Sequence, residues 1–62
     1  MEEIIIKVSL DQDNGGYSYY VYDGHDAYME CEEYDGGLCT STMQNALDMA
    51  VDAAKEMLRR KA

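Results

Sequence analysis

The segment Ser41–Lys61, STMQNALDMAVDAAKEMLRRK, decides how the rest of the chain can fold. Its apolar residues Met43, Ala46, Leu47, Ala50, Val51, Ala54, Met57 and Leu58 recur at spacings of three and four, so a helix gathers them on one face. Gln44, Asn45, Asp48, Asp52, Lys55, Glu56 and Arg59 take the opposite face. Ser41, followed three residues later by Gln44, matches a capping box, in which hydroxyl and amide each meet a backbone N–H that the first turn leaves unpaired. Thr40 or Thr42 is the alternative cap. The pattern predicts a helix over about residues 42–60, with alanines at 46, 50, 53 and 54 that let it lie close to whatever it covers.

Upstream of this helix the periodicity changes to two. Ile4, Ile6, Val8 and Leu10 alternate with Ile5, Lys7 and Ser9, which predicts a strand over about 4–10. Asp11-Gln12-Asp13-Asn14-Gly15-Gly16 concentrates residues that tolerate positive φ or bond to their own backbone, so the chain reverses there. The return strand is YSYYVY, about 17–22, with Tyr17, Tyr19 and Val21 on one face and Ser18, Tyr20 and Tyr22 on the other. Asp23-Gly24-His25-Asp26 makes a second turn, and alternation over about 27–34 predicts a third strand, with Ala27, Met29 and Cys31 inward and Tyr28, Glu30, Glu32 and Tyr34 outward. Asp35-Gly36-Gly37 ends it, and Leu38 and Cys39 add at most a short strand or bulge. The fold class is therefore α+β: a three-stranded antiparallel sheet followed by one amphipathic helix, βββα, in one small domain over 1–62. The expected core sets Ile4, Ile6, Val8 and Leu10 beside Tyr19, Val21, Met29 and Leu38, under Leu47, Ala50, Ala54 and Leu58.

A chain of 62 residues cannot build a large core. One helix covers one face of a small sheet, so the other face meets solvent, a second copy or another protein. A homodimer or higher oligomer is the default expectation. Thirteen acids against five bases give a net charge of −8. Residues 1–54 hold twelve acids and Lys7 alone as a base, a net −11, whereas the last eight residues are net +3. Cations in a last helical turn complement the helix dipole. The acidic remainder repels phosphate backbones, which disfavours direct nucleic-acid binding and favours a basic protein partner. MEEIIIKVSL has neither a basic start nor an apolar run long enough for a secretory signal or a membrane span, so the expected location is the cytoplasm, with no membrane association.

Chemical motifs are sparse. Asp11-x-Asp13-x-Gly15-Gly16 resembles the start of a calcium loop, but its twelfth position is Tyr22 where a glutamate is needed, and turn chemistry explains it better. His25, the only histidine, reads as a solvated loop residue, since no second histidine and no close cysteine pair accompany it. Cys31 has no basic neighbour and stands among Glu30, Glu32 and Glu33, surroundings that disfavour a thiolate nucleophile; buried, unpaired Cys31 and Cys39 are the expectation. No phosphate loop or hydrolase elbow is present, so the reading is a non-enzyme with no catalytic residue, no metal and no cofactor. Its residual competitor is a metal-dependent site at Asp11, Asp13, Asp23, Asp26 and His25.

Six tyrosines are the loudest compositional signal. Tyrosine forms strands well, which accounts for several of them. Alternation nevertheless leaves some rings on the face the helix does not cover, and rings with a polar rim are common at interfaces. Tyr20, Tyr22, Tyr28, Glu30, Glu32 and Tyr34 are accordingly the expected protein-binding surface.

The order of these residues also resembles a family. An alternating Ile/Val strand, the D-x-D-x-G-G-Y turn at Asp11 to Tyr17, an aromatic second strand and a G-x-x-[ST]-x-T-x-x-x-A-L lead-in to a helix from Gly37 through Leu47 look like the amino-terminal domain of HicB-like antitoxins. The resemblance covers most of the chain. It implies a partial ribonuclease-H-like sheet and helix without nuclease activity, neutralising a small basic RNA-cleaving toxin by contact, as in toxin-antitoxin pairs. Two other readings stand beside it. One is a phage or mobile-element inhibitor of a host nuclease, its acidic face a decoy for nucleic acid. The other is a homo-oligomer whose Tyr-rich faces pack together with no other partner.

Overall fold

The first hairpin is closed by its own side chains. Asn14 donates its backbone N–H to Asp11 Oδ1 at 3.2 Å and its side-chain amide to Oδ2 at 2.9 Å. In this computed structural model, which describes residues 3–61, the hairpin joins β1 (Ile5–Asp11) to β2 (Gly16–Tyr22). A short helix α1 (His25–Met29), strand β3 (Asp35–Cys39) and the long helix α2 (Met43–Lys61) follow. The sheet order is β1-β2-β3, both pairs antiparallel. The fold is thus the expected α+β arrangement of three antiparallel strands and a carboxy-terminal helix.

The pairing sets each strand's two faces. Ile6 opposes Val21 and Val8 opposes Tyr19 on the side α2 covers, while Ile5 opposes Tyr22 and Lys7 opposes Tyr20 on the other side. Tyr19, Val21, Ala50, Ala53, Ala54 and Met57 form the core cluster, with Ile4, Ile6 and Val8 packed against it. Four of the five buried residues of α2 are the alanines at 46, 50, 53 and 54, so no long side chain but Met57 holds the helix away from the sheet. The Cα atoms accordingly span only 13 Å in their thinnest direction, the depth of two layers.

Five residues expected in the core lie elsewhere. Leu10 is 57% accessible because it stands at the far end of β1, and Met29 is 65% accessible because it ends α1 rather than lining a strand. Leu38 opposes Ser18 and so shares the uncovered face, leaving Cys39 to point inward. Leu47 and Leu58 are exposed because three short strands are narrower than the apolar arc of the helix, and only its Ala46–Ala50–Met57 side touches them.

The third strand is β3, at 35–39 and not 27–34. Gly24, at φ 96°, turns the chain out of β2, and Tyr28 N–H then donates to Gly24 O and Glu30 N–H to Asp26 O. Ala27, Met29 and Glu30 favour helix over strand, and local bonds win over an alternation that no neighbouring strand reinforces. Gly36 and Gly37, read as the end of a strand, are its middle. A Cβ at Gly36 would fall 2.8 Å from the ring of Tyr20, and one at Gly37 3.0 Å from the Tyr19 hydroxyl. Each glycine is covered by the tyrosine opposite it, one ring on each face, which compensates for the missing side chains.

The α2 cap is Thr42. Its hydroxyl accepts the backbone N–H of Asn45 at 3.1 Å, while the Asn45 side chain donates to Ser41 Oγ at 2.8 Å. Gln44 turns instead to Asp48 at 3.4 Å. Ser41 and Gln44 therefore do not form the capping box. At the other end Arg59, Arg60 and Lys61 occupy the last turn, and Lys61 Nζ meets Asp23 Oδ1 at 2.6 Å, fastening α2 to the turn after β2.

Candidate functional site

The face that α2 leaves uncovered is aromatic at one end and hydroxylated at the other. At the hydroxyl end Ser9 and Ser18 oppose each other, their oxygens 3.3 Å apart. At the aromatic end Tyr20 and Tyr22 lie two residues apart on β2, ring centroids separated by 6.4 Å. Helix α1 folds back over this end, and the Tyr28 ring meets Tyr22 edge-on, at 5.2 Å and 89°. His25, also on α1, stands 6.4 Å from Tyr28. Edge-to-face rings at this distance attract beyond their area burial.

Three of the six expected surface residues are therefore brought together, with divided roles. Tyr22 is only 8% accessible and acts as the pillar, whereas Tyr28 at 38% presents its ring to solvent. Tyr20 is half-buried between Lys7 and Gly36. Tyr34 donates its backbone N–H to Val21 O at 2.7 Å, and its ring is exposed. Glu30 and Glu32 are exposed on the segment that leaves α1. Their place is a helix exit and not the outer face of a strand, since the alternation that assigned them there is helical.

Burial pushes the Tyr22 hydroxyl above its usual value of 10.0, and Glu33 adds to the effect by repelling the phenolate. Glu33 is thus the acid whose field reaches this ring most strongly. Glu33 is absent from the expected surface, although the run Glu32-Glu33 beside Tyr34 is a sequence signal for it. His25 is missing from the expected surface for a similar reason, as its partner Tyr28 lies three residues on and only a helical turn unites them.

Both cysteines are free thiols, Cys39 buried and Cys31 exposed, so the expectation of two buried cysteines holds for Cys39 alone. Cys31 follows α1 at φ 56°, where the chain turns outward. Asp11, Asp13, Asp23, Asp26 and His25 do not gather: Asp11 is engaged by Asn14 and Asp23 by Lys61. Among the described residues no three His, Cys, Asp or Glu side chains come together in a way that could hold a metal ion. Nor is any described helix long and apolar enough to cross a membrane.

No protein-family model matches the chain, and searches of curated proteins and of solved structures give no match. The arrangement offers shape and charge. It presents a rigid aromatic shelf, with Glu30, Glu32, Glu33 and Asp35 following in sequence directly after α1.

Proposed function

We propose that this chain is a small acidic binding module, HicB-like in kind, which neutralises a basic partner such as an RNA-cleaving toxin by contact and not by catalysis. The observation that carries this reading is the ring series Tyr20, Tyr22 and Tyr28 on the face α2 does not cover. Ring area contributes affinity at low entropic cost, and the neighbouring carboxylates steer a cation-rich surface towards it. Tyrosine faces also receive guanidinium groups well, which favours arginine on the partner. The family resemblance supports the same reading through the Gly37–Leu47 segment, which runs from a strand through the Thr42 cap into α2.

The test is calorimetric titration of the full chain with small basic proteins, beginning with any that is encoded beside its gene. Binding is expected to weaken as salt rises, and Glu30→Lys with Glu32→Lys to weaken it about tenfold, the scale for two partly screened rim charges. Unchanged affinity after that double reversal contradicts the assignment of the surface. Displacement of the partner by added RNA or DNA would favour the decoy mechanism instead.

A further inference from the structure

The apolar arc of α2 is wider than the sheet beneath it. At 100° per residue, Ala46, Ala50, Ala53 and Met57 centre on the sheet, while Leu47, Val51 and Leu58 lie about 110° round one flank, with Met43 at its start. Leu47 is 42% accessible, Leu58 44% and Met43 50%. The opposite flank carries Asn45, Asp52, Glu56 and Arg60 with a single exposed apolar residue, Met49, so most of the apolar excess lies on the Leu47–Leu58 side.

Charge identifies the occupant. Helix α2 holds three acids and four bases, net +1, which leaves −9 on the rest of a chain whose total is −8. It is therefore a region on which two copies of so acidic a chain can meet without strong repulsion. The charges beside the apolar flank are also ordered along the axis, with Asp48 towards the amino end and Lys55 and Arg59 towards the carboxy end. Neither Lys55 nor Arg59 forms an ion pair among the described residues.

We infer that two copies associate through this flank, their α2 helices antiparallel about a two-fold axis level with Asp52 and Ala53. An axis there sets Leu47 against the partner's Leu58, and Leu58 against the partner's Leu47, as an isologous contact requires. The same operation brings Asp48 between the partner's Lys55 and Arg59 at both ends of the interface. A parallel pairing would instead align like charges. The contact uses the helix face away from Tyr20, Tyr22 and Tyr28, so it leaves the aromatic shelf open in each copy and does not depend on what that shelf binds. Four apolar side chains per helix make a small interface, below about 1,200 Å² in total, the class of reversible association.

Sedimentation velocity of the full chain from about 10 µM to about 1 mM tests this, with a reversible monomer–dimer equilibrium expected in that range. Leu47→Glu with Leu58→Glu should stay monomeric throughout while keeping its circular dichroism, since both residues are exposed. Asp48→Lys alone, and Lys55→Glu with Arg59→Glu, should each dimerise about tenfold more weakly through like-charge contact. An equimolar mixture of those two variants should regain the wild-type dimer, because each end then pairs opposite charges. Tyr28→Ala should dimerise as the wild type does. A wild-type monomer at the highest concentration overturns the inference. So does a dimer that survives the double leucine substitution, single-variant pools that match the wild type, a mixture that fails to recover, or a dimer lost with Tyr28→Ala.

Discussion

Tyr22 shows how one residue serves both fold and surface. Its strand neighbour Val21 is fully buried under α2, whereas Tyr22 is buried on the opposite face by Tyr28 from α1. A ring in that position cannot ionise without placing a phenolate under Tyr28 and near Glu33, so its folded pKa is raised. The sign follows: the neutral form is preferred in the folded state, and the associated stability is present below 10.0 and lost as pH rises through the folded value. In an alkaline absorbance titration Tyr22 should therefore titrate after an ordinary tyrosine. Tyr28→Ala should bring it back towards 10.0 by opening the ring to water. Tyr22→Phe should remove the late component and identify it.

At the scale of elements, sequence patterns served where a period was enforced by burial and failed where it was short. Ile6 and Val8 in β1, Tyr19 and Val21 in β2, and the alanines of α2 all pack as their spacing predicts. The eight residues from Ala27 to Tyr34 alternate just as plainly, yet only the last, Tyr34, bonds to a strand, and local helical bonds to the Gly24 and Asp26 carbonyls take over. β3 was hidden by its own glycines, since only the rings across the sheet make Gly36 and Gly37 acceptable strand residues, and those rings belong to another strand. The site inherited this error: Tyr20, Tyr22 and Tyr28 were legible, while Glu33 and His25 needed the helical turn of α1. The α2 cap is a further case, with Thr42 and Asn45 bonded where Ser41 and Gln44 were the expected pair. Thr42→Ala should cost about 1 kcal/mol, the usual loss for an N-cap hydroxyl, and more than Ser41→Ala, which removes only an exposed side-chain bond. Thermal melting of the two variants decides between the caps.

For the whole molecule, the division of charge between two surfaces is the organising feature. α2 is nearly neutral and covers one face of the sheet, while the acidic remainder includes the segment that borders the aromatic shelf. Accessible surface points the same way: 4448 Å² is above the roughly 4,000 Å² of a compact monomer of this mass. Two layers and 62 residues leave both an outer sheet face and a helix flank exposed. As proposed, these surfaces have separate tasks, the shelf receiving a basic partner and the flank a second copy. Amide chemical-shift mapping of the ¹⁵N-labelled full chain, titrated with a small arginine-rich protein that binds it in the calorimeter, tests that division most directly. Perturbations should concentrate at Tyr20, Tyr22 and Tyr28 through Asp35 while sparing Leu47 and Leu58; changes centred on α2, or none on the tyrosine face, would contradict it.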